Sequence, residues 1–449
     1  MGTKKETCIR IVKIMHLFIS VLIFASSWLY YKKTYDIYIA GRYDVFVYAM
    51  FGVLMYFFVR TYNAYMIEYQ SFHDCVFCLC LSSAISTAGV YVLTLIAWNK
   101  FHAPWIFLVQ ILEQWVFGAL WTLCAMKLYS LIVKPLPAIV IYRNEADLER
   151  LSEIRKHENK YNVVKYLEDP LSLEETVNAI TECGAKAVFL AGVNATLRNG
   201  IAKYCIEKDL RGFFIPHIGD VILSGGDHIQ AFSVPIMSIR RNGGTPEYLL
   251  IKRMADIIIS AIAIVITSPL MAVTALAVRL YDGGPAFYRQ VRLTKGRKEF
   301  KILKFRSMRV DAEKDGIARL STGENDDRVT PVGRIIRAVR LDELPQLINI
   351  FTGDMSIVGP RPERPELAEI YEQKIPAFSL RLQAKAGLTG YAQVYGKYNT
   401  DPYDKLEMDL MYINKMNLLL DIQIMFATVR ILFKKESTEG VEEGKTNSL

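Results

Sequence analysis

Residues 252–280 read KRMADIIISAIAIVITSPLMAVTALAVRL, and how this run meets a membrane sets the architecture. From Ile257 to Val278 it is long enough to cross a hydrocarbon core, which needs about 20 apolar residues. Ser268-Pro269 stands in its middle. Pro269 has no N–H and its ring crowds the carbonyl of Val265, so the helix is expected to bend or break there. Lys252 and Arg253 precede the run; Arg279, Arg289, Arg292, Lys295, Arg297, Lys298, Lys301, Lys304, Arg306 and Arg309 follow it against only Asp282 and Glu299. Two basic flanks favour keeping both ends in the cytoplasm. The run is therefore read as a re-entrant helix over 254–280 that dips into one leaflet, with the hydroxyls of Thr267 and Ser268 able to satisfy backbone groups that the break frees. An ordinary kinked span is the weaker alternative.

Upstream, four further segments, 9–31, 43–66, 75–98 and 104–127, have the length and hydrophobicity of spanning helices. An even number returns the chain to its starting side. The basic N-terminus and Lys127/Lys134 place both ends in the cytoplasm, while Lys32, Lys33 and Arg42 in the first loop argue weakly against it. No small-residue cleavage site follows the first segment, so it is read as an uncleaved helix rather than a signal peptide. Glu113, inside the fourth segment, marks either a functional polar site or a helix–helix hydrogen bond. After Lys134 short apolar runs (AIVIY, YNVVKYL, AKAVFLAG) alternate with charged helical windows (EADLERLSEIRK, SLEETVNAITE). That rhythm predicts a parallel, Rossmann-like α/β module. Its first turn, Tyr142-Arg143-Asn144-Glu145, lacks the glycines that let a backbone approach a pyrophosphate, so dinucleotide binding is not expected there.

The expected layout is a four-helix transmembrane bundle (1–134), a cytoplasmic Rossmann-like α/β module (135–245), and a mainly α, monotopic catalytic domain with the re-entrant helix (246–435). A polar tail (436–449) follows. The run MNLLLDIQIMFATVRILFKK near the end holds Asp421 and closes on Lys434-Lys435, which favours an interfacial helix over a sixth span.

Composition narrows the chemistry. At 52% hydrophobic residues with a net charge of +8, basic membrane flanks account for the charge without nucleic acid. The cations from Arg279 to Arg309 lack the aromatic interleaving of single-strand binders; anionic headgroups and phosphates suit them better. The seven cysteines are an odd set without disulfide spacing, which fits a reducing compartment. Cys75, Cys78 and Cys80 near His73 sit in an apolar run without a second ligand pair, which argues against a metal site. From residue 246 onward there is no histidine and no cysteine, so an enzyme here has neither an imidazole base nor a thiolate nucleophile. Walker A and kinase signatures are also missing.

Carboxylates remain, and RLDELPQLINIFTGDMSIVGPRP (340–362) sets Asp342 beside Glu343. Pro345 is tolerated in a first helical turn, so a helix is expected to begin near Asp342. The bland reading makes Asp342 an N-cap and Glu343 a favourable first-turn charge. Against it, Arg334, Arg337 and Arg340 upstream and Arg361 and Arg364 downstream supply bidentate phosphate donors. Mg²⁺ takes one or two carboxylates plus substrate phosphates. One carboxylate can then attack phosphorus while the other helps hold the metal.

The region from about Leu250 to Phe433 resembles the monotopic polyprenyl-phosphate phosphoglycosyltransferases of bacteria, which begin capsule, exopolysaccharide and O-antigen assembly. The resemblance rests on KRMADIIISAIAIVITSPL, GGPAFYRQVRLTKGRKEFKILKFRSM, RVTPVGRIIRAVRLDELPQLINIFTGDMSIVGPRPE, AGLTGYAQVYG and LLLDIQIMFATV, five motifs in one order. The four spans and α/β module before them look like the large subfamily. The resemblance implies transfer of sugar-1-phosphate from a nucleoside-diphosphate sugar, a UDP-hexose by family frequency, to undecaprenyl phosphate. Asp342 would be the covalent nucleophile and Glu343 the Mg²⁺ ligand beside it. Lys304 and Asp421 fall on active-site positions, and Arg337 with the Pro360-Arg361-Pro362 turn on phosphate recognition. Ser268-Pro269 matches the helix-breaking dipeptide. The implied setting is the bacterial inner membrane, with the catalytic domain on its cytoplasmic face among membrane lipids and without nucleic acid; a homodimer is left open. Two other readings stand beside it. A degenerate membrane scaffold of a polysaccharide complex is disfavoured by the intact Asp342-Glu343 pair. An inverting glycosyltransferase would want an Asp-x-Asp motif, which Asp326-Asp327 does not supply convincingly.

Overall fold

The computed structural model describes residues 3–37, 41–67, 70–99, 101–151, 160–170, 172–231, 234–239, 241, 243–310, 312, 328–396 and 401–432. The expected polar tail and the Asp326-Asp327 pair lie outside the described residues. The chain divides into two compact units, 1–215 and 216–449.

The first unit opens with four helices, α1 (Thr3–Thr34), α2 (Gly41–Thr61), α3 (Phe72–Trp98) and α4 (Trp105–Ile132). All four are long and apolar enough to cross a membrane. Helices α1 and α3 each pack on both α2 and α4. Polar side chains reach across these contacts: Gln114 Nε2 donates to the Ser20 carbonyl at 2.7 Å, and Trp121 Nε1 to that of Val12 at 3.2 Å. Such bonds matter where lipid offers no alternative partner. The helix–helix bond anticipated at Glu113 is thus made by its neighbour Gln114, while Glu113 itself is exposed. A helix turns successive residues about 100° apart, so only one of the two can face the bundle. Lys32, counted against the topology, is committed to Asp44 at 2.8 Å.

A parallel sheet follows, built from β1 (Leu136–Tyr142), β2 (Tyr161–Glu168), β3 (Ala187–Leu190) and β4 (Arg211–Phe214) in the order β2-β1-β3-β4. Helices α5 (Glu145–Arg150), α6 (Leu173–Glu182) and α7 (Ala195–Glu207) connect the strands. Strand alternation sends Ile139 and Ile141 into one core and Ala138 and Val140 into the other, so β1 is covered on both faces.

The second unit contains α8 (Ile218–Ser224), the hairpin β5 (Asp227–Ala231) and β6 (Val234–Ser238), α9 (Pro246–Asp282), and the hairpin β7 (Phe287–Thr294) and β8 (Lys298–Phe305). Then come α10 (Pro331–Ala338), α11 (Gln346–Thr352), β9 (Ser356–Val358), α12 (Pro365–Lys374), β10 (Gly387–Thr389), α13 (Tyr391–Tyr395), α14 (Pro402–Asn414) and α15 (Leu418–Leu432). Residues 216–231, grouped with the α/β module in the sequence reading, pack here instead. Val221 is buried with Leu406 and Leu410, and Asn414 Nδ2 donates to the Val221 carbonyl at 2.6 Å.

Helix α9 is the fifth helix long and apolar enough for a membrane. Of the two outcomes anticipated at Ser268-Pro269, the break is excluded: the chain stays helical through Pro269. Proline removes a single donor, and the Val265 carbonyl that it frees accepts from Ser268 Oγ at 2.8 Å. Both ends of α9 are fastened to this unit. Arg253 donates to the carbonyls of Ile350 and Phe351 at 2.7 and 2.8 Å, and Arg306 donates to the Val278 carbonyl and pairs with Asp282.

Candidate active site

Asp342 and Glu343 do not open an α-helix as expected; they form the 3₁₀ turn Leu341–Glu343, and α11 begins only at Gln346. The cause is Arg340, which ends the preceding segment in the left-handed region (φ 55). From there the chain turns tightly, with Glu343 N donating to the Arg340 carbonyl at 3.3 Å and Leu344 N to that of Leu341 at 3.2 Å. Pro345 occupies the N-cap position of α11. Asp342 is therefore not the cap of that helix.

Three separate elements converge on Glu343. Lys304, near the end of β8, and Arg361, in the Pro360-Arg361-Pro362 turn, each lie 3.1 Å from Oε1, and Arg340 approaches Oε2 at 3.9 Å. Burial would raise the Glu343 pKa, but Lys304, then Arg361 and Arg340, outweigh it and hold the carboxyl well below the usual range. Asp342 differs: among the described residues it makes no hydrogen bond or ion pair. Burial pushes its pKa up and the charge on Glu343 adds to the rise; Lys304, Arg337 and Arg361 pull against it without cancelling it. One carboxylate is clamped and ionised, and its neighbour is uncommitted.

The turn that presents Arg361 is pinned at its backbone. Gly359 N donates to Thr389 O at 2.8 Å, Gly387 N to Pro360 O at 2.9 Å, Arg381 to Arg361 O at 3.0 Å and Arg292 to Pro362 O at 3.1 Å. A Cβ on Gly387 would come within 2.2 Å of Gly359 N, so this crossing admits only glycine. Arg381, almost fully buried, also pairs with the buried Asp409 at 2.7 Å. On the other side Asn349 of α11 accepts from Leu303 N at 2.9 Å and donates to Lys301 O at 3.0 Å, fixing β8 just before Lys304. Arg292, Asn349, Arg381 and Asp409 escape the sequence reading, because their partners lie tens of residues away and no spacing signals them.

Asp421 joins a different cluster. Its Oδ2 accepts from Tyr248 OH at 2.8 Å and Lys252 Nζ at 2.6 Å, and its Oδ1 from Tyr412 OH at 2.8 Å. These bonds tie α15 to the start of α9 and the end of α14. Ser268 and Pro269 stand apart from both clusters, within the apolar length of α9. Among the described residues no group of three or more His, Cys, Asp or Glu side chains could hold a metal, Cys75 and Cys78 included.

A clamped carboxylate, one beside it without a partner among the described residues, and converging cations stand together without imidazole or thiol, a combination chemically suited to phosphate esters. Comparison with known proteins gives the same region. The bacterial sugar transferase family matches residues 247–435. A UDP-N-acetylgalactosamine-undecaprenyl-phosphate N-acetylgalactosaminephosphotransferase of Aeromonas hydrophila is 42% identical over 191 residues, 42% of this chain and 45% of that protein. A UDP-glucose:undecaprenyl-phosphate glucose-1-phosphate transferase of Escherichia coli is 39% identical over 226 residues, 49% of this chain and 47% of that one. Its namesake in Caulobacter vibrioides is 38% identical over 212 residues, which are 46% of this chain and 79% of that protein. The matches thus span about half the length of the first two relatives. This chain belongs to the bacterial sugar transferase family.

Proposed function

We propose that the protein transfers sugar-1-phosphate from a UDP-sugar to undecaprenyl phosphate, at the cytoplasmic face of a bacterial inner membrane, as the first membrane step of exopolysaccharide, capsule or O-antigen synthesis. The names of the relatives supply the substrates, and glucose and N-acetylgalactosamine both occur among them. The observation that carries the reading is the division of labour between Asp342, without a partner among the described residues, and Glu343, held by Lys304 and Arg361.

In this mechanism an Asp342 carboxylate oxygen attacks the sugar-bearing phosphorus. The bond from that phosphorus to the bridging oxygen breaks, and UMP leaves with the electron pair. An oxygen of undecaprenyl phosphate then attacks the aspartyl phosphosugar, releasing the Asp342 carboxylate and forming the lipid-diphosphate-sugar. Lys304, Arg337 and Arg361 orient and neutralise the phosphates before and during each attack. Asp342, uncommitted among the described residues, with Glu343 beside it would hold Mg²⁺, which takes few carboxylates and draws its other ligands from phosphate and water. Bound there, the ion would supply charge neutralisation for the diphosphate.

The placement of α9 supports a re-entrant helix. About 37 helical residues would measure roughly 55 Å if straight, yet both ends bond to the same unit. Its outward side chains, among them Ile258, Ile262, Val265, Ile266 and Val273, are exposed and apolar. Such a helix would hold the site at the level where a soluble donor meets a lipid acceptor. Supplying purified protein with undecaprenyl phosphate and Mg²⁺, and recording which of a panel of UDP-sugars releases UMP and forms a lipid-diphosphate-sugar, tests the assignment. Lipid-monophosphate-sugar as product would replace it with a glycosyltransferase, and no product from any donor would favour a scaffold.

A further inference from the structure

A second basic cavity lies in the C-terminal unit, lined by none of Asp342, Glu343, Lys304 or Arg361. It is open to solvent and has a cavity volume of ≈ 190 Å³, smaller than a site for a whole drug-sized ligand but roomy enough for a single phosphate group. Its walls are the first turns of α9, the β7–β8 turn, β9 and the segment entering β10. Arg253, Lys295 and Lys385 face it against a single carboxylate, Asp256. Lys252 also lines it, but its charge is offset by Asp421.

Three features make this a built site rather than a patch of surface lysines. Among the described residues none of Arg253, Lys295 and Lys385 forms an ion pair. Asp256, 5% exposed, already spends one oxygen on the Ile357 amide at 3.0 Å. Burial, then Arg253 and Lys295, lower the Lys385 pKa even though Asp256 and Asp354 oppose them, so these cations repel one another across the space. Finally Ser356, 1% exposed, has its hydroxyl buried without a partner among the described residues and lines the same cavity. Arg253 already donates to two carbonyls, but the uncompensated charges of Arg253, Lys295 and Lys385 and the Ser356 hydroxyl share one missing component, an anion rich in acceptor oxygens.

We infer that this cavity binds a phosphate group other than the one transferred at Asp342. Leu249 lines the cavity, and the adjoining Leu250 and Met254 on the outward side of α9 are exposed and apolar. The phosphodiester of an anionic membrane lipid could therefore reach it from the bilayer, with Ser356 donating its hydroxyl proton and Lys385 and Lys295 their ammonium protons. Free phosphate is the other source of the same chemistry.

The test uses the full chain in nanodiscs of phosphatidylcholine alone, of phosphatidylcholine with phosphatidylglycerol, or of phosphatidylcholine with added inorganic phosphate. Thermal unfolding and retained lipid by native mass spectrometry are read for wild type, Lys385→Met, Lys295→Met and Lys298→Met, the last an exposed lysine that does not line the cavity. Wild type and Lys298→Met are expected to gain Tm and keep phosphatidylglycerol, while Lys385→Met and Lys295→Met lose at least half of both effects. Without anion, Lys385→Met should be no less stable than wild type, since it removes a cation facing two others. A rise with phosphatidylglycerol only assigns the site to a headgroup; an equal rise with inorganic phosphate assigns it to a soluble phosphate. Equal responses in all four proteins, or none in wild type, would overturn the inference. If Lys385→Met fails to fold, Lys295→Met alone decides. No readout depends on transferase activity, so this result stands or falls apart from the catalytic assignment.

Discussion

Two aspartates in one unit, Asp421 buried and Asp342 half-buried, are treated in opposite ways. Asp421 receives bonds from Tyr248, Lys252 and Tyr412, which leave both its oxygens occupied. Asp342 has cations around it but bonds to none of them among the described residues, and its neighbour Glu343 takes the contacts instead. A fold that satisfies a buried carboxylate uses it as a tie. One that buries a carboxylate and leaves it unpaired gives up stability there, and such exceptions gather where a group must be free to react. The resemblance of sequence placed both residues in one active site; here they hold different partners, and we read Asp421 as a positioning residue.

The largest effect that would sharpen the contrast is on turnover. Asp342→Asn should lower UMP release by roughly 10⁴-fold or more, as loss of a covalent nucleophile does. Its Tm should be equal to or above that of wild type, because a buried, unpaired charge has been removed. Asp421→Asn should act with the opposite sign on stability. It leaves Lys252 buried beside a neutral group at a cost of about 3 kcal/mol, while activity per folded molecule falls far less. Equilibrium unfolding and donor turnover of the two variants, measured side by side, would break the comparison if both lost stability alike.

Lys304→Met is expected to reduce kcat about 10²-fold, in line with removal of one preorganised charge partner. It should also shift the pH profile. Activity requires ionised Asp342, whose folded pKa is raised, so kcat/KM should fall on the acid side at a pH above the usual carboxylate range. Lys304 is the strongest group lowering that pKa, so its loss should move the acid limb to still higher pH. The stability signs differ for the two neighbours. A raised folded pKa means that Asp342 costs stability when ionised, a cost that disappears as pH falls. The depressed pKa of Glu343 means that its contribution, present above the unfolded carboxylate pKa, is lost only as pH falls through its much lower folded value. Between these limits activity should therefore fall before Tm does. A pH series of rate and melting temperature in the same buffers checks it.

The smallest expected effect concerns the boundary of the C-terminal unit. A chain starting at residue 216 should keep Mg²⁺-dependent UMP release. One starting at 246 lacks Val221, whose burial against Leu406 and Leu410 contributes about 1.5–3 kcal/mol, and should be measurably less stable. Loss of activity in a well-folded chain starting at 216 would implicate the α/β module in the site.

Much of this molecule is legible in one sequence because its signals are local. Length and hydropathy mark the four N-terminal helices and α9, and strand–helix alternation marks the parallel sheet. Lys304, Asp342, Glu343 and Arg361 stand in recognisable motifs, and the structure brings them together. What stays hidden depends on distant or conformational facts. Arg340 adopts a left-handed conformation that no propensity announces, and this replaces the helix expected at Asp342 with a 3₁₀ turn. Asn349 grips backbone 46 residues away, and Arg292 a carbonyl 70 residues away, which periodicity cannot register. Pro269 suggests a break, but one side-chain hydroxyl supplies a partner for the freed carbonyl.

The most direct measurement of the central claim is a trap. Wild-type protein is mixed with a sugar-labelled UDP-sugar and Mg²⁺ but no lipid acceptor, quenched rapidly, digested and analysed by mass spectrometry. A phosphosugar adduct should appear on the peptide containing Asp342, with a stoichiometric burst of UMP, and should vanish when undecaprenyl phosphate is added or when Asp342 is replaced by Asn. No adduct at any quench time, together with kinetics in which both substrates bind before UMP leaves, would contradict covalent catalysis and reduce Asp342 to a ligand of the metal.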